Sequence, residues 1–284
     1  MKLGVHLSTF TPRWEEDVLP WIPEAARIGY RAVELPLMFP ERFDRAGAKA
    51  LLKRHGLACT CGTGMNPEED LSSPDPGARD RGLRRLQSCL DICCDLESDC
   101  LGGVLYAPWG QRFPREKARD RRAWALEGLR KTADYARGRG VTLSLELLNR
   151  YESYFVNTVE EGKALLAEVG RENVKLHFDT FHAHVEEQSL PGAIRLGGGD
   201  IWHVHLCDNN RAAPGSGAID FGGVLDALAQ IGYRRFLMVE NFVVPDCPAG
   251  DEVCIWRRVF PSPLEDARAA FRHMAALMEE RGLA

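Results

Sequence analysis

Four segments of this 284-residue chain each carry an apolar, β-rich run into a single acidic or imidazole residue, and that recurrence constrains the fold more than any other feature. The first is Val141 to Glu152, VTLSLELLNRYE. Side chains of a parallel strand covered by helices alternate between two faces, so Leu143 and Leu145 share one face and Ser144 and Glu146 the other. VKLHFD then ends at Asp179, WHVHL contains His205, and RFLMVE ends at Glu240. One parity in these segments is apolar (Leu176 and Phe178, Val204 and Leu206, Leu237 and Val239), while the other carries Asp179, His205 or Glu240. The intervals between the four polar residues, 33, 26 and 35, are each about one strand-plus-helix unit. Four neighbouring parallel strands are therefore expected to aim these groups at a common interior.

The rest of the chain repeats the same unit. Strands are expected at Lys2–Ser8, Arg31–Leu37, Leu57–Thr63, Leu101–Ala107, the Glu146 segment, Val174–Asp179, Trp202–Cys207 and Phe236–Glu240. Helices are expected at Asp17–Ile28, Asp44–His55, Ala78–Leu96, Arg115–Arg139, Val159–Val169, Leu190–Leu196, Gly222–Ile231 and Leu264–Arg281, several stopped by a following glycine. Eight alternations favour a closed (β/α)8 TIM barrel over an open doubly wound sheet. The nearest approach to a dinucleotide fingerprint, Gly62-Thr-Gly64, lacks a third glycine and reads as a loop. No linker divides the chain, so residues 1–284 are expected to form one domain.

Charge narrows the partners. Thirty-six Lys and Arg against 41 Asp and Glu leave a net charge of −5, with no basic footprint for nucleic acid and no polybasic patch for a membrane. A small molecule is the expected partner. The nine cysteines are odd in number and several lie in apolar segments, which suits free thiols in a reducing cytoplasm. Cys59-x-Cys61 with Cys89, Cys93 and Cys94 is the alternative, a soft-metal site, but it lacks paired CxxC motifs. The opening MKLGVHLSTF has no long apolar region and no run reaches the ~18 residues of a membrane span, so an unprocessed soluble chain is expected.

In a barrel, the strand ends that carry Glu146, Asp179, His205 and Glu240 form the active face. Three carboxylates crowded together repel and call for a cation; oxygen donors with one imidazole suit Mn²⁺, Mg²⁺ or Co²⁺, and the lack of thiolate argues against structural zinc. The plainer alternative makes His205 a hydrogen-bonded core histidine and the carboxylates members of ion pairs. His6, Phe10, Trp109 and Phe242 are candidates to shape the pocket, or else core aromatics. Pro214-Gly215-Ser216-Gly217 reads as a turn, with an anion cradle as the weaker alternative.

NRYE after Glu146, FDTFHAHVEE from Phe178, HVHLCDNNRAAPGSG from His203 and the strand ending at Glu240 closely resemble the D-tagatose 3-epimerase and D-allulose 3-epimerase family of xylose-isomerase-like barrels. The resemblance spans the chain and is strongest from Leu143 to Phe242. It implies that Glu146, Asp179, His205 and Glu240 are metal ligands, that Glu146 and Glu240 are also the acid/base pair, and that Glu152, His182 and Arg211 hold a ketose around its C1 to C3 oxygens. It further implies a divalent ion, Mn²⁺ in first place with Co²⁺ or Mg²⁺ as alternatives, and a homodimer or homotetramer. The implied reaction is C3 inversion of a free keto sugar through an enediolate. The chain departs from the family at Asn241, where Pro or Ser is usual, at Ala183-His184, and in CIWRRVFPSP. These changes spare the ligands and bear on the substrate.

Three rival readings share parts of the pattern. A keto-sugar isomerase, epimerase or dehydratase of keto-glycoside, hydroxypyruvate or inosose type would use the same metal site. A metal-dependent nuclease of endonuclease IV type would need more than eight histidines and a basic face. A non-catalytic sugar-binding barrel would have no need of two opposed carboxylates.

Overall fold

The computed structural model describes residues 1–283; residue 284 lies outside the described residues, as do the side chains at 115 and 116. Eight parallel strands close into a barrel in chain order: β1 (Lys2–His6), β2 (Ala32–Pro36), β3 (Ala58–Met65), β4 (Cys100–Pro108), β5 (Thr142–Glu146), β6 (Val174–Asp179), β7 (Ile201–Leu206) and β8 (Phe236–Val239), with β8 pairing back onto β1. Ten α-helices surround them among the described residues: α1 (Ile22–Ile28), α2 (Arg45–His55), α3 (Pro76–Asp95), α4 (Arg115–Arg137), α5 (Val159–Val169), α6 (Thr180–Glu186), α7 (Leu190–Gly197), α8 (Phe221–Gln230), α9 (Pro248–Glu252) and α10 (Pro263–Glu280). No helix among the described residues is long and apolar enough to cross a membrane.

Local chemistry sets the helix ends. Asp44 and Asp75 cap α2 and α3 by accepting from backbone N–H groups of the first turn, and Thr158 with Glu161 forms a reciprocal capping box on α5. Gly170 ends α5 in the left-handed region at φ 63°, where a side chain is disfavoured.

Register decides which residues face inward. Neighbours paired across parallel strands share a face, and the pairs His6 with Glu34, Glu34 with Thr60, Gly62 with Gly102, Gly102 with Ser144, Glu146 with His177, Asp179 with His205 and His205 with Met238 follow one ring after another around the interior. The opposite parity, including Val33, Leu143, Leu145, Leu176, Val204 and Leu237, is fully buried against the helices. Each such aliphatic side chain contributes roughly 1.5–3 kcal/mol by leaving water. The interior is polar where branched apolar residues usually fill such a barrel.

Two expectations need correction, and one open alternative is decided. The strand expected to reach Ser8 ends at His6, because His6 Nδ1 accepts the Ser8 backbone N–H at 3.3 Å and turns the chain into a 3-10 segment, Leu7–Phe10. Helices α6 and α9 were not anticipated; both are short, five to seven residues, and too brief for a periodic apolar stripe. Phe10 packs against Trp21 with ring centroids 4.9 Å apart, so it belongs to the core and not to the pocket.

Candidate active site

The four polar strand ends converge. Ligand atoms of Glu146, Asp179, His205 and Glu240 all lie within 4.8 Å of one another at the mouth of the barrel. Glu146 is the last residue of β5, Asp179 the last of β6, His205 lies one residue before the end of β7, and Glu240 follows β8. Asp179 serves two neighbours at once. Its Oδ1 caps α6 by accepting from the N–H groups of Phe181 at 2.6 Å and His182 at 3.0 Å, which leaves Oδ2 buried and without a hydrogen-bond partner. His205 Nδ1 is likewise buried without one, 3.9 Å from Asp179 Oδ2 and 3.5 Å from Glu240 Oε2. Buried polar atoms are rarely orphaned, and two that point into one set of carboxylates fit a divalent cation held by oxygen and imidazole donors.

Electrostatics point the same way. Burial, together with the like charges of Glu240 and Asp179, pushes the Glu146 carboxyl well above its ordinary range despite the pull of His205. Burial also works against charge on Glu240, but His205, His6 and Arg211 outweigh it and bring that carboxyl down to about 2. A cation among these groups favours the charged form of every carboxylate.

Beyond the cluster an open pocket is lined by His6, Trp109, Glu152, His182, Arg211 and Phe242, among others. His182 Nδ1 accepts from the Asn149 backbone N–H at 3.2 Å and lies 2.8 Å from the Asn149 side-chain amide, so its proton sits on Nε2, which faces Glu146 Oε1 at 3.8 Å. Glu152 accepts from Trp109 Nε1 at 2.8 Å and from Asn149 Nδ2 at 2.9 Å. Burial opposes its charge, but His182 and Arg211 more than compensate and hold its carboxyl at about 2. Arg211 adopts the left-handed φ of 64°, a conformation that costs a non-glycine residue ~1 kcal/mol or more and clusters at functional sites. Its guanidinium lies 4.0 Å over the Phe181 ring and reaches Glu152 at 3.5 Å and Glu240 at 3.8 Å, yet Nε and Nη1 have no hydrogen-bond acceptor. His6 sits 3.8 Å from Glu240 and is hydrogen-bonded to the Ser8 hydroxyl.

Of the eleven candidate residues, ten reach the cluster or the pocket, and Phe10 lies in the core. The Pro214–Gly217 segment is a turn, pinned by Asp208, whose carboxylate accepts from Gly215, Gly217 and Ile219 N–H groups. The nine cysteines are all free, and no cysteine joins a cation-capable group among the described residues. Sequence parity did not single out Glu34, His177 and His203, which form a buried polar layer beneath the cluster. The signal was present: Glu34 interrupts RAVELPL, and His177 and His203 lie two residues before Asp179 and His205 on the same face.

Comparison with known proteins agrees with this geometry. A sequence model of the xylose isomerase-like TIM barrel family matches residues 22–278. The chain is 34% identical over 266 residues to a D-psicose 3-epimerase of Ruminiclostridium cellulolyticum, covering 91% of this chain and 90% of that protein. It is also 34% identical to an L-ribulose 3-epimerase of Methylomonas sp., covering 92% of each. A crystal structure of D-psicose 3-epimerase with D-tagatose from Clostridium cellulolyticum H10 superposes with a TM-score of 0.92 at 31% identity, over 98% of this chain and 99% of that one. Fold, polar strand ends and sequence agree over nearly the whole length, and the chain belongs to the ketose 3-epimerases of the xylose isomerase-like TIM barrel family.

Proposed function

We propose that this enzyme inverts C3 of an unphosphorylated ketose, with Glu146 and Glu240 as the acid/base pair and Glu146, Asp179, His205 and Glu240 as ligands of Mn²⁺, or of Co²⁺ or Mg²⁺ in its place. The observation that carries the reading is the meeting of a buried carboxylate at the end of strand 5 and a partly buried one just after strand 8, three positions apart around the ring, at one cluster. Relatives named for 3-epimerisation of D-psicose and L-ribulose support ketopentoses and ketohexoses as the substrate class.

The C3 hydrogen of a ketose is acidic because it neighbours the C2 carbonyl. One glutamate removes it, leaving a planar enediolate, and the other returns a proton to the opposite face; a positioned acid or base of this kind contributes ~10²–10⁴ in rate. A bound divalent cation supplies Lewis acidity, stabilising the developing negative charge by roughly several kcal/mol. His182 offers its Nε2–H, and Arg211 its unpartnered Nε and Nη1, as donors to substrate oxygens. Glu152, held by Trp109 and Asn149, is an acceptor for a hydroxyl. His6 and Trp109 complete the wall beside Glu240 and Glu152.

A phosphate would need cationic or backbone donors beyond strands 7 and 8. Arg211 is the base that lines the pocket there, and it already lies between Glu152 and Glu240. We place the enzyme in the cytoplasm, where nine free thiols stay reduced, as a homodimer or homotetramer that light scattering would measure.

The deciding experiment is proton NMR in D₂O with a panel of free ketopentoses and ketohexoses and the Mn²⁺-loaded protein, the reaction being stopped with chelator. Deuterium entering C3 together with a new epimer is the expected result. Exchange confined to C1 overturns the proposal in favour of an aldose–ketose isomerase.

A further inference from the structure

A carboxylate lies beneath the cluster that the reaction above does not use. Glu34 sits mid-strand on β2, 1% exposed, and its Oε2 accepts from two imidazoles, His203 Nε2 at 2.6 Å and His205 Nε2 at 3.0 Å. A neutral imidazole carries one ring proton. With that proton on Nε2 of His205 and directed at Glu34, Nδ1 is left as a bare lone pair, and Nδ1 is the atom that faces Asp179 and Glu240 without a partner. Had Nδ1 carried the proton, His205 could not serve as a ligand.

The barrel makes room for this arrangement. A Cβ at Gly62 on β3 would lie 2.7 Å from Glu34 Oε1, closer than real contacts allow, and one at Gly102 on β4 would lie 3.2 Å from His203 Cδ2 and 3.6 Å from Glu34 Oε1. Gly62 therefore stands where an inward side chain would displace the carboxylate, and Gly102 on the next strand where one would press on its second imidazole.

We propose that Glu34 is a positioning residue of the cation site: it holds His205 as the Nε2–H tautomer with Nδ1 aimed at the cluster, and Gly62 and Gly102 are the space it requires. This inference rests on reading the four-residue cluster as a cation site. Carboxylates that accept the second N–H of a ligating histidine change metal affinity ~10–100-fold when removed.

Free Mn²⁺ gives a sharp six-line EPR spectrum that protein-bound Mn²⁺ does not, so titration reads the affinity directly. The expected result for full-length Glu34→Ala and Gly62→Ala is binding weaker by ~10–100-fold, with a smaller loss for Glu34→Gln, which keeps an oxygen for both imidazoles but not the charge. Wild-type affinity in a Glu34→Ala protein that melts cooperatively overturns the inference and leaves the cluster reading standing. Failure of the wild type to bind Mn²⁺ overturns both. Should the variants not fold, ¹⁵N NMR of the His205 ring in the metal-free wild type decides: a proton on Nε2 alone supports the inference, and a proton on Nδ1 overturns it.

Discussion

Asn241, the residue after Glu240, donates its side-chain amide to Asp266 Oδ2 at 2.5 Å, while Asp266 Oδ1 accepts the Ala213 backbone N–H at 2.7 Å. One carboxyl in the first turn of α10 thereby ties the loop carrying Arg211 to the strand end carrying Glu240. The Asn241 N–H also reaches Thr9 Oγ1 at 3.1 Å, and the Phe242 N–H reaches the Arg211 carbonyl at 2.7 Å, so three strand-end loops meet at this point.

The same contact makes stability depend on pH. Burial raises the Asp266 carboxyl from 3.8 to about 7, although Asn241 and Ala213 partly oppose the shift. Between these values the folded chain holds a proton that the unfolded chain releases, so this contribution is complete below pH 4 and is lost as pH rises through 7. About two pH units at 1.4 kcal/mol each put the loss between pH 5 and 7 at ~3 kcal/mol. Urea denaturation at both pH values should show Asp266→Asn losing less than the wild type by about this amount; equal slopes would remove Asp266 as the cause.

Glu146→Gln and Glu240→Gln each keep the shape of the side chain and abolish its proton transfer. Turnover should fall by ~10²–10⁴ in either variant, read as C3 deuterium exchange. Retention of a tenth of the activity in either one is incompatible with a two-carboxylate mechanism.

Removal of divalent ions by chelation and gel filtration should silence the enzyme, with Mn²⁺ or Co²⁺ restoring it. An ion that binds only the folded chain also stabilises it, by about 2.7 kcal/mol at a hundredfold excess over Kd. Thermal melts with and without Mn²⁺ should therefore differ; a metal-free protein that is fully active and melts unchanged has no use for the cluster as a cation site.

Arg211→Lys preserves the charge and loses the planar fork that lies over Phe181 and faces Glu152 and Glu240. One charge-assisted hydrogen bond lost, at ~1.5–3 kcal/mol, puts the fall in kcat/KM at roughly 10–100-fold. Steady-state kinetics that match the wild type would show that the guanidinium does not grip the substrate.

Alternation along single strands was enough to identify the barrel and its four polar strand ends. An acidic residue on the inner parity of VTLSLE or VKLHFD has no helix to pack against, so Glu146 and Asp179 announce an interior function within a few residues of chain. Local hydrogen bonding is less visible: Asp179 caps the short α6 with one oxygen, and only the folded backbone shows that the other is left for the cluster. What tertiary structure alone decided is the layer below. Glu34 meets His203 and His205 across 169 and 171 residues of sequence, and Gly62 and Gly102 matter because their strands lie between Glu34 and the far side of the ring. Pattern along a strand fixes the face on which a side chain lies; closure of the barrel sets which faces meet, because strand register brings together residues that no periodicity links.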